Sequence, residues 1–224
     1  MPNELTSAMV KEYGRGAGAC AVGIAAAEAF GLAPEGFRPS DVLEGCRSVV
    51  VLGAAHPREA LGDSVEYTAV RNAMLTKMTD VANEVAKRIK TDGYKAKAVS
   101  ASGGKTVDGN LYGHISLKHA AALAGLGVLG RNCLLISPQY GTMLWLSAVL
   151  TDAELPPDPK ARFEICDGCN KCVEACPMGA LDDPASFGRK ECRKVFAMVN
   201  KKLEIKCFLC RTVCPYRFGE EEAG

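Results

Sequence analysis

Eight cysteines crowded into the last third of the chain constrain it more than any apolar pattern does. The run CDGCNKCVEACP, Cys166 to Pro177, sets four thiols at spacings of two, two and three residues and ends in proline. Cys192 follows alone. Cys207, Cys210 and Cys214 come next with Pro215 behind them, so the second half echoes the first with one closely spaced cysteine missing. Three thiols in a tight loop can grip one face of a metal centre, and the fourth must arrive from elsewhere. The opening MPNELTSAMVKEYG carries neither a basic leader nor an apolar signal core, so a reducing cytoplasm and metal ligation are expected rather than disulfides. No apolar run reaches the roughly 18–20 residues of a membrane helix, so no membrane association is expected.

Two metal chemistries suit paired cysteines two residues apart. Tetrahedral zinc is one. Closely packed triplets ending in Cys-Pro, twice over, favour iron–sulfur cubanes, two 4Fe–4S clusters in all. In two-cluster ferredoxins the cysteine before the proline ligates the other cluster. That rule gives Cys166, Cys169, Cys172 and Cys214 to one cluster, and Cys176, Cys192, Cys207 and Cys210 to the other. Every cysteine after residue 165 is then used. Cys20, Cys46 and Cys133 have no partner spacing and are expected to be buried apolar residues.

Upstream of the cysteines the pattern is α/β. SVVVLGAA, Ser48–Ala55, is a short β-branched apolar run expected to form a buried strand. Val70, Met74, Met78, Val81, Val85 and Ile89 keep helical spacing and end near Gly93. AKAVSAS predicts a further strand, and SLKHAAALAGLG a helix begun by a serine cap and stopped by glycine. CLLIS and MLWLSAVLT, separated by PQYG, predict two strands joined by a turn. Pro156, Pro157 and Pro159 read as a linker. The expected division is an α/β domain over residues 1–155 and a ferredoxin-like domain over 156–224.

Lysine plus arginine number 27 and aspartate plus glutamate 26, a net charge of +1. Near neutrality argues against a chain-wide electrostatic grip on nucleic acid.

The order of motifs carries a resemblance. HAAALAGLGVLGRNCLLISPQYGTMLWLSAVLTDAELP followed by the cysteine set resembles epoxyqueuosine reductase and, more distantly, the corrinoid-dependent reductive dehalogenases. Weaker similarity extends upstream through GACAVGIA and PSDVLEGCRSVVVLG. The resemblance implies an α/β (α+β) domain of the cobalamin-binding type followed by a two-cluster ferredoxin-like domain. It implies single electrons passing through the clusters to a corrinoid (cobalamin). A low-potential donor of the ferredoxin or flavodoxin type and a small-molecule substrate or corrinoid partner would go with it. Two departures stand out. The chain stops soon after CPYRFGEEEAG, which together with the neutral charge sets the expectation against tRNA. The family's catalytic aspartate has Ser100 near its place here, with Asp108 in TVDG as a displaced candidate. The rival reading is a non-catalytic electron carrier; a metal-stapled RNA-binding module is a third.

Candidate residues follow. Asp108, His114, Lys118 and His119 are candidates for proton transfer or anion binding, although aspartate in a glycine-rich loop most often makes a turn. His56, after the strand 48–55, sits where α/β proteins place ligands. GLGVLGRN superficially matches a dinucleotide fingerprint, but it follows a predicted helix rather than a strand. Gly125, Gly127 and Gly130 are instead candidates for close backbone approach to a flat cofactor, with Arg131 and Asn132 bonding its polar groups.

Overall fold

The computed structural model describes residues 4–100, 104–107, 110–183, 188–199 and 202–220. In chain order the elements begin with α1 (Ser7–Gly16), β1 (Ala21–Ala26), α2 (Pro39–Val42), β2 (Ser48–Ala55) and α3 (Ser64–Thr91). They continue with β3 (Ala96–Val99), β4 (Lys105–Val107), β5 (Asn110–Tyr112), α4 (Leu117–Leu123), β6 (Val128–Leu129) and β7 (Leu135–Ile136). The last are β8 (Leu144–Thr151), α5 (Lys171–Glu174), α6 (Arg189–Arg193), β9 (Phe196–Val199), β10 (Lys202–Ile205) and α7 (Leu209–Thr212). Two compact units result, neither contiguous in sequence. The first takes Met1–Ala54, Met74–Gly127 and Trp145–Ala161, the second Ala55–Ala73, Val128–Leu144 and Arg162–Gly224.

A four-stranded sheet in the order β1-β2-β8-β3 forms the core of the first unit. β1 runs antiparallel to β2 from Ala21↔Gly53 to Ala26↔Ser48, and β3 antiparallel to β8 from Ala96↔Thr151 to Val99↔Ala148. The unbroken apolar run of β2 is explained by its interior place: every residue but Ala55 is buried. In α3 the predicted stripe is the buried one, with Met74, Met78, Val81, Val85 and Ile89 in the core. Asp63 starts that helix, its Oδ1 accepting from the N–H groups of Val65 and Glu66 at 2.8 and 2.9 Å. Gly93, at φ 94°, ends it.

The PQYG turn joins two strands, β7 and β8, as expected, but they do not pair with each other. Ser137 and Gly141 close it as an isolated bridge, β7 pairs with β6, and β8 enters the four-stranded sheet instead. Nor is the proline segment a loose linker. β1 is an edge strand, and Asp158 covers its edge: Asp158 N–H donates to Ile24 O and Asp158 Oδ2 accepts from Ile24 N–H, both at 2.9 Å. Lys11 holds the other carboxylate oxygen. An edge strand with free backbone groups invites foreign pairing, and this strap blocks it. Asp158→Ala is expected to cost about 1–2 kcal/mol in chemical denaturation by removing a charge-assisted bond and leaving the Ile24 amide unsatisfied.

The unassigned cysteines also differ from expectation. Cys20 is exposed, because its backbone N–H continues the ladder to Gly53 O (2.8 Å) at the very start of β1 while its side chain is left outside the core. Cys46 and Cys133 are half-buried, and burial pushes the Cys46 thiol up to about 11. Among the described residues no helix is long and apolar enough to cross a membrane.

Candidate metal centre

All eight motif cysteines lie in the second unit. Cys172 sits on α5 and Cys210 on α7, two single-turn helices that pack against each other. This contact brings the two cysteine loops together. Cys166 adopts φ 65°, a left-handed conformation that costs a non-glycine residue about 1–2 kcal/mol. Two bonds hold it there: its carbonyl accepts from Cys169 N–H at 3.3 Å, and its Sγ from Arg131 N–H at 3.4 Å. Gly168, at φ 61°, completes the loop without a side chain to strain.

Cys166, Cys169, Cys172 and Cys214 ring a cavity of about 310 Å³, with Asn132, Lys171 and Tyr216 also in its wall. These are the four residues that the crossing rule assigns to one cluster. The far-end cysteine, Cys214, joins the three from the first loop. Burial pushes the Cys172 and Cys214 thiols up, and the neighbouring thiols of this set add to the effect. Burial raises Cys210 to about 11 against the opposing pull of the Arg211 charge, and Cys192 and Cys207 are the next thiols it feels. Cys176 Sγ accepts from Ala180 N–H at 3.4 Å. Among the described residues no three Cys, His, Asp or Glu side chains converge tightly enough for a single metal ion, so the thiols ring a space rather than a point.

The same region carries a buried cation that sequence reasoning missed. Arg211 is 7% exposed, and its Nη1 is buried with no hydrogen-bond partner among the described residues. A buried guanidinium is costly unless an anion compensates it. A cubane with four thiolates carries about −2 in its oxidised form, so the cavity and the orphaned guanidinium nitrogen both fit such a group. A charged residue between Cys210 and Cys214 was the available signal.

The other candidates fall in two places. In the second unit, Asn132 Nδ2 donates to Cys210 O at 3.2 Å, while its Oδ1 accepts from Leu134 N–H at 3.1 Å. Arg131 and Asn132 thus serve the cysteine loops directly. Gly130 is needed for space, since a Cβ there would lie 2.5 Å from Ile136 Cδ1. His56 is 3% exposed; its ring stacks on Tyr67 (centroids 5.5 Å apart), and Tyr67 stacks on Phe208 (4.3 Å). His56 Nδ1 must donate to Pro57 O, 3.1 Å away, because a carbonyl can only accept.

Burial, then the Arg211 charge, lowers the His56 pKa against the opposing pull of Pro57 O. With the folded pKa below the unfolded value of about 6.5, the unfolded chain binds the extra proton first. The stabilisation is therefore complete above about pH 6.5 and is lost as pH falls through the window down to the folded pKa. Urea titrations of His56→Phe are expected to show a flatter stability profile between pH 7 and 5 than the parent, both ends on the order of the usual histidine range.

In the first unit, Gly125 takes φ 75° and a Cβ there would run into Pro159 O. Gly127 is buried, His114 and Lys118 are half-buried, and His119 is exposed. Ser116 precedes α4 as predicted, but its hydroxyl lies 2.6 Å from His119 Nδ1 rather than capping the backbone. Asp108 lies outside the described residues.

Residues 160–182 match a family model described as a 4Fe-4S binding domain. Epoxyqueuosine reductase of Listeria monocytogenes is 33% identical over 120 residues, which are 49% of this chain and 31% of that protein. The tetrachloroethene reductive dehalogenase of Dehalobacter restrictus is 31% identical over 163 residues, 70% of this chain and 27% of that protein. The matches thus span less than a third of either relative's length. Among solved structures, an epoxyqueuosine reductase with an epoxyqueuosine-modified tRNA-Tyr stem loop superposes with TM-score 0.63 at 19% identity, covering 94% of this chain and 64% of that one. A catabolic reductive dehalogenase superposes with TM-score 0.72 at 22% identity, covering 96% and 32%. The α/β fold with a ferredoxin-like module is the fold these proteins share. One of these structures was solved with a tRNA stem loop, so the comparisons lend the expectation against tRNA no support. Whole-chain neutrality does not speak for it either, since net charge averages away any local basic surface.

Proposed function

We propose that this chain is an iron–sulfur oxidoreductase holding two 4Fe–4S clusters and passing single electrons through them to a site that takes a corrinoid. Cys166, Cys169, Cys172 and Cys214 hold one cluster; Cys176, Cys192, Cys207 and Cys210 hold the other. The observation that carries the reading is the ring of four thiols around one cavity, drawn from both ends of the cysteine module.

The chain's own groups then have defined work. The N–H groups of Arg131 and Ala180 donate to the sulfurs of Cys166 and Cys176, and hydrogen bonds to cluster sulfurs raise a cluster's potential. Asn132 ties the stretch after Gly130 to the second loop through Cys210 O. Arg211 supplies buried positive charge beside the thiolates. A corrinoid, when bound, would supply the low-potential metal centre at which substrate is reduced. Gly125 and Gly127 of the first unit are its proposed contacts, and Asp108, His114, Lys118 and His119 the proposed proton- or anion-handling groups; Gly130, Arg131, Asn132 and His56 belong to the second unit, with the cysteine module. An epoxyqueuosine-bearing tRNA stem loop stands beside small molecules among the substrates to assay.

Anaerobic reconstitution tests this directly. About eight irons and eight sulfides per chain are expected, with cobalamin binding that perturbs its absorption spectrum. Full iron without cobalamin affinity would assign the chain to electron carriage instead. About two zincs and no sulfide would sink both readings.

A further inference from the structure

The segment 189–206 holds seven basic and two acidic residues, a net of +5, inside a chain whose net charge is +1. Its core is the antiparallel β9–β10 hairpin, in which Met198 and Leu203 are cross-strand partners. Both are exposed, at 67% and 41%. Leu209, beside Cys210 on α7, is 43% exposed. Lys190 and Lys194 stand exposed on and just after α6, and Lys206 is exposed with its ammonium on Glu204. The underside of the hairpin is tied down, with Ile205 N–H donating to Thr68 Oγ1 at 2.9 Å and Ser64 Oγ to Glu204 Oε1 at 2.6 Å.

A fold has no use for an exposed Met–Leu pair on a two-stranded ladder. Exposed apolar side chains among cations are the composition of a transient protein interface, in which the apolar centre docks and the charged rim steers. We propose that this hairpin and its flanks are the docking surface of an acidic one-electron carrier protein, which feeds the centre held by Cys176, Cys192, Cys207 and Cys210. The inference rests on the two-cluster reading above. Position argues for it: Cys192 lies on α6 just before the hairpin, and Cys207 is separated from β10 by Lys206 alone. Chemistry argues against RNA as the occupant, because the most exposed apolar side chains, Met198, Leu203 and Leu209, are not aromatic, and the one ring on the hairpin, Phe196, is half-buried. The transfer oxidises the donor by one electron and reduces the cluster centre by one, with no bond formed and no proton needed.

Stopped-flow bleaching of the reconstituted protein by a reduced, acidic bacterial ferredoxin provides the test, with dithionite as a small reductant in parallel. Lys190→Glu with Lys194→Glu is expected to slow reduction by ferredoxin about tenfold or more at low salt and to abolish its salt dependence. Met198→Ser with Leu203→Ser is expected to slow it with the salt dependence retained. Neither pair should alter reduction by dithionite or the iron content. Ferredoxin rates indifferent to both pairs would overturn the docking surface alone. A tRNA stem loop whose binding is lost in Lys190→Glu with Lys194→Glu, while ferredoxin rates are unchanged, would reassign the surface to RNA. A parent protein that assembles no cluster overturns this inference together with the reading beneath it.

Discussion

Cys214→Ala is expected to remove the cluster gripped by Cys166, Cys169 and Cys172, although it lies 38 residues beyond the end of their motif at Cys176. Iron should fall from about eight to about four per chain, leaving one cluster's electron paramagnetic signal after reduction. The reason is geometric. Three thiols from one loop reach one face of a cubane, and in the fold the fourth wall of their cavity is Cys214. Cys176→Ala separates this arrangement from its rival. If CDGCNKCVEACP were a self-contained set, Cys176→Ala and Cys214→Ala would damage different clusters in the opposite sense. Under the crossed arrangement Cys176→Ala and Cys192→Ala strip the same cluster, and the signal that survives matches the one lost in Cys214→Ala. A Cys214→Ala protein with full iron and both signals would end the assignment.

Arg211→Met should act with opposite sign on the empty and the loaded protein. Without clusters, a buried guanidinium nitrogen lacking a partner is a burden, and an apolar side chain of similar length should stabilise the fold or leave it unchanged; related replacements of buried charge gain about 1–4 kcal/mol. With clusters in place the same cation lies beside Cys210 and stabilises the more negative, reduced state. Its removal should lower a midpoint potential, on the order of 60 mV for each tenfold change in a one-electron equilibrium. Arg211→Lys should largely restore the potential, because it restores the charge. Equal potentials in all three proteins would show that the guanidinium is only a packing element.

The corrinoid assignment is the part of the site that sequence reasoning resolved least. Arg131 and Asn132 stood out beside GLGVLG as groups for a flat cofactor, yet in the fold their bonds go to Cys166 Sγ and Cys210 O. His56 stood out as a residue after a strand, yet it is one layer of an aromatic stack with Tyr67 and Phe208. Neither arrangement has a local signature.

What the sequence determined by itself is the chemistry that is local in the chain. Cysteine spacing demands a tight metal-binding loop, and a missing fourth thiol demands a donor from elsewhere. An unbroken β-branched run demands an interior strand, and a helical stripe demands a core face. Each of these follows from the geometry of a few consecutive residues. Tertiary structure alone decided the rest: that residues 55–73 and 128–144 join the cysteine module, that β8 leaves its neighbour for the central sheet, and that Asp158 closes the edge of β1. Those outcomes depend on partners far apart in the chain, 35 residues between Arg131 and Cys166 and 137 between Thr68 and Ile205. A backbone N–H aimed at a sulfur, or a hydroxyl at a hairpin, is set by where the folded chain carries it, and no periodicity in the sequence records that.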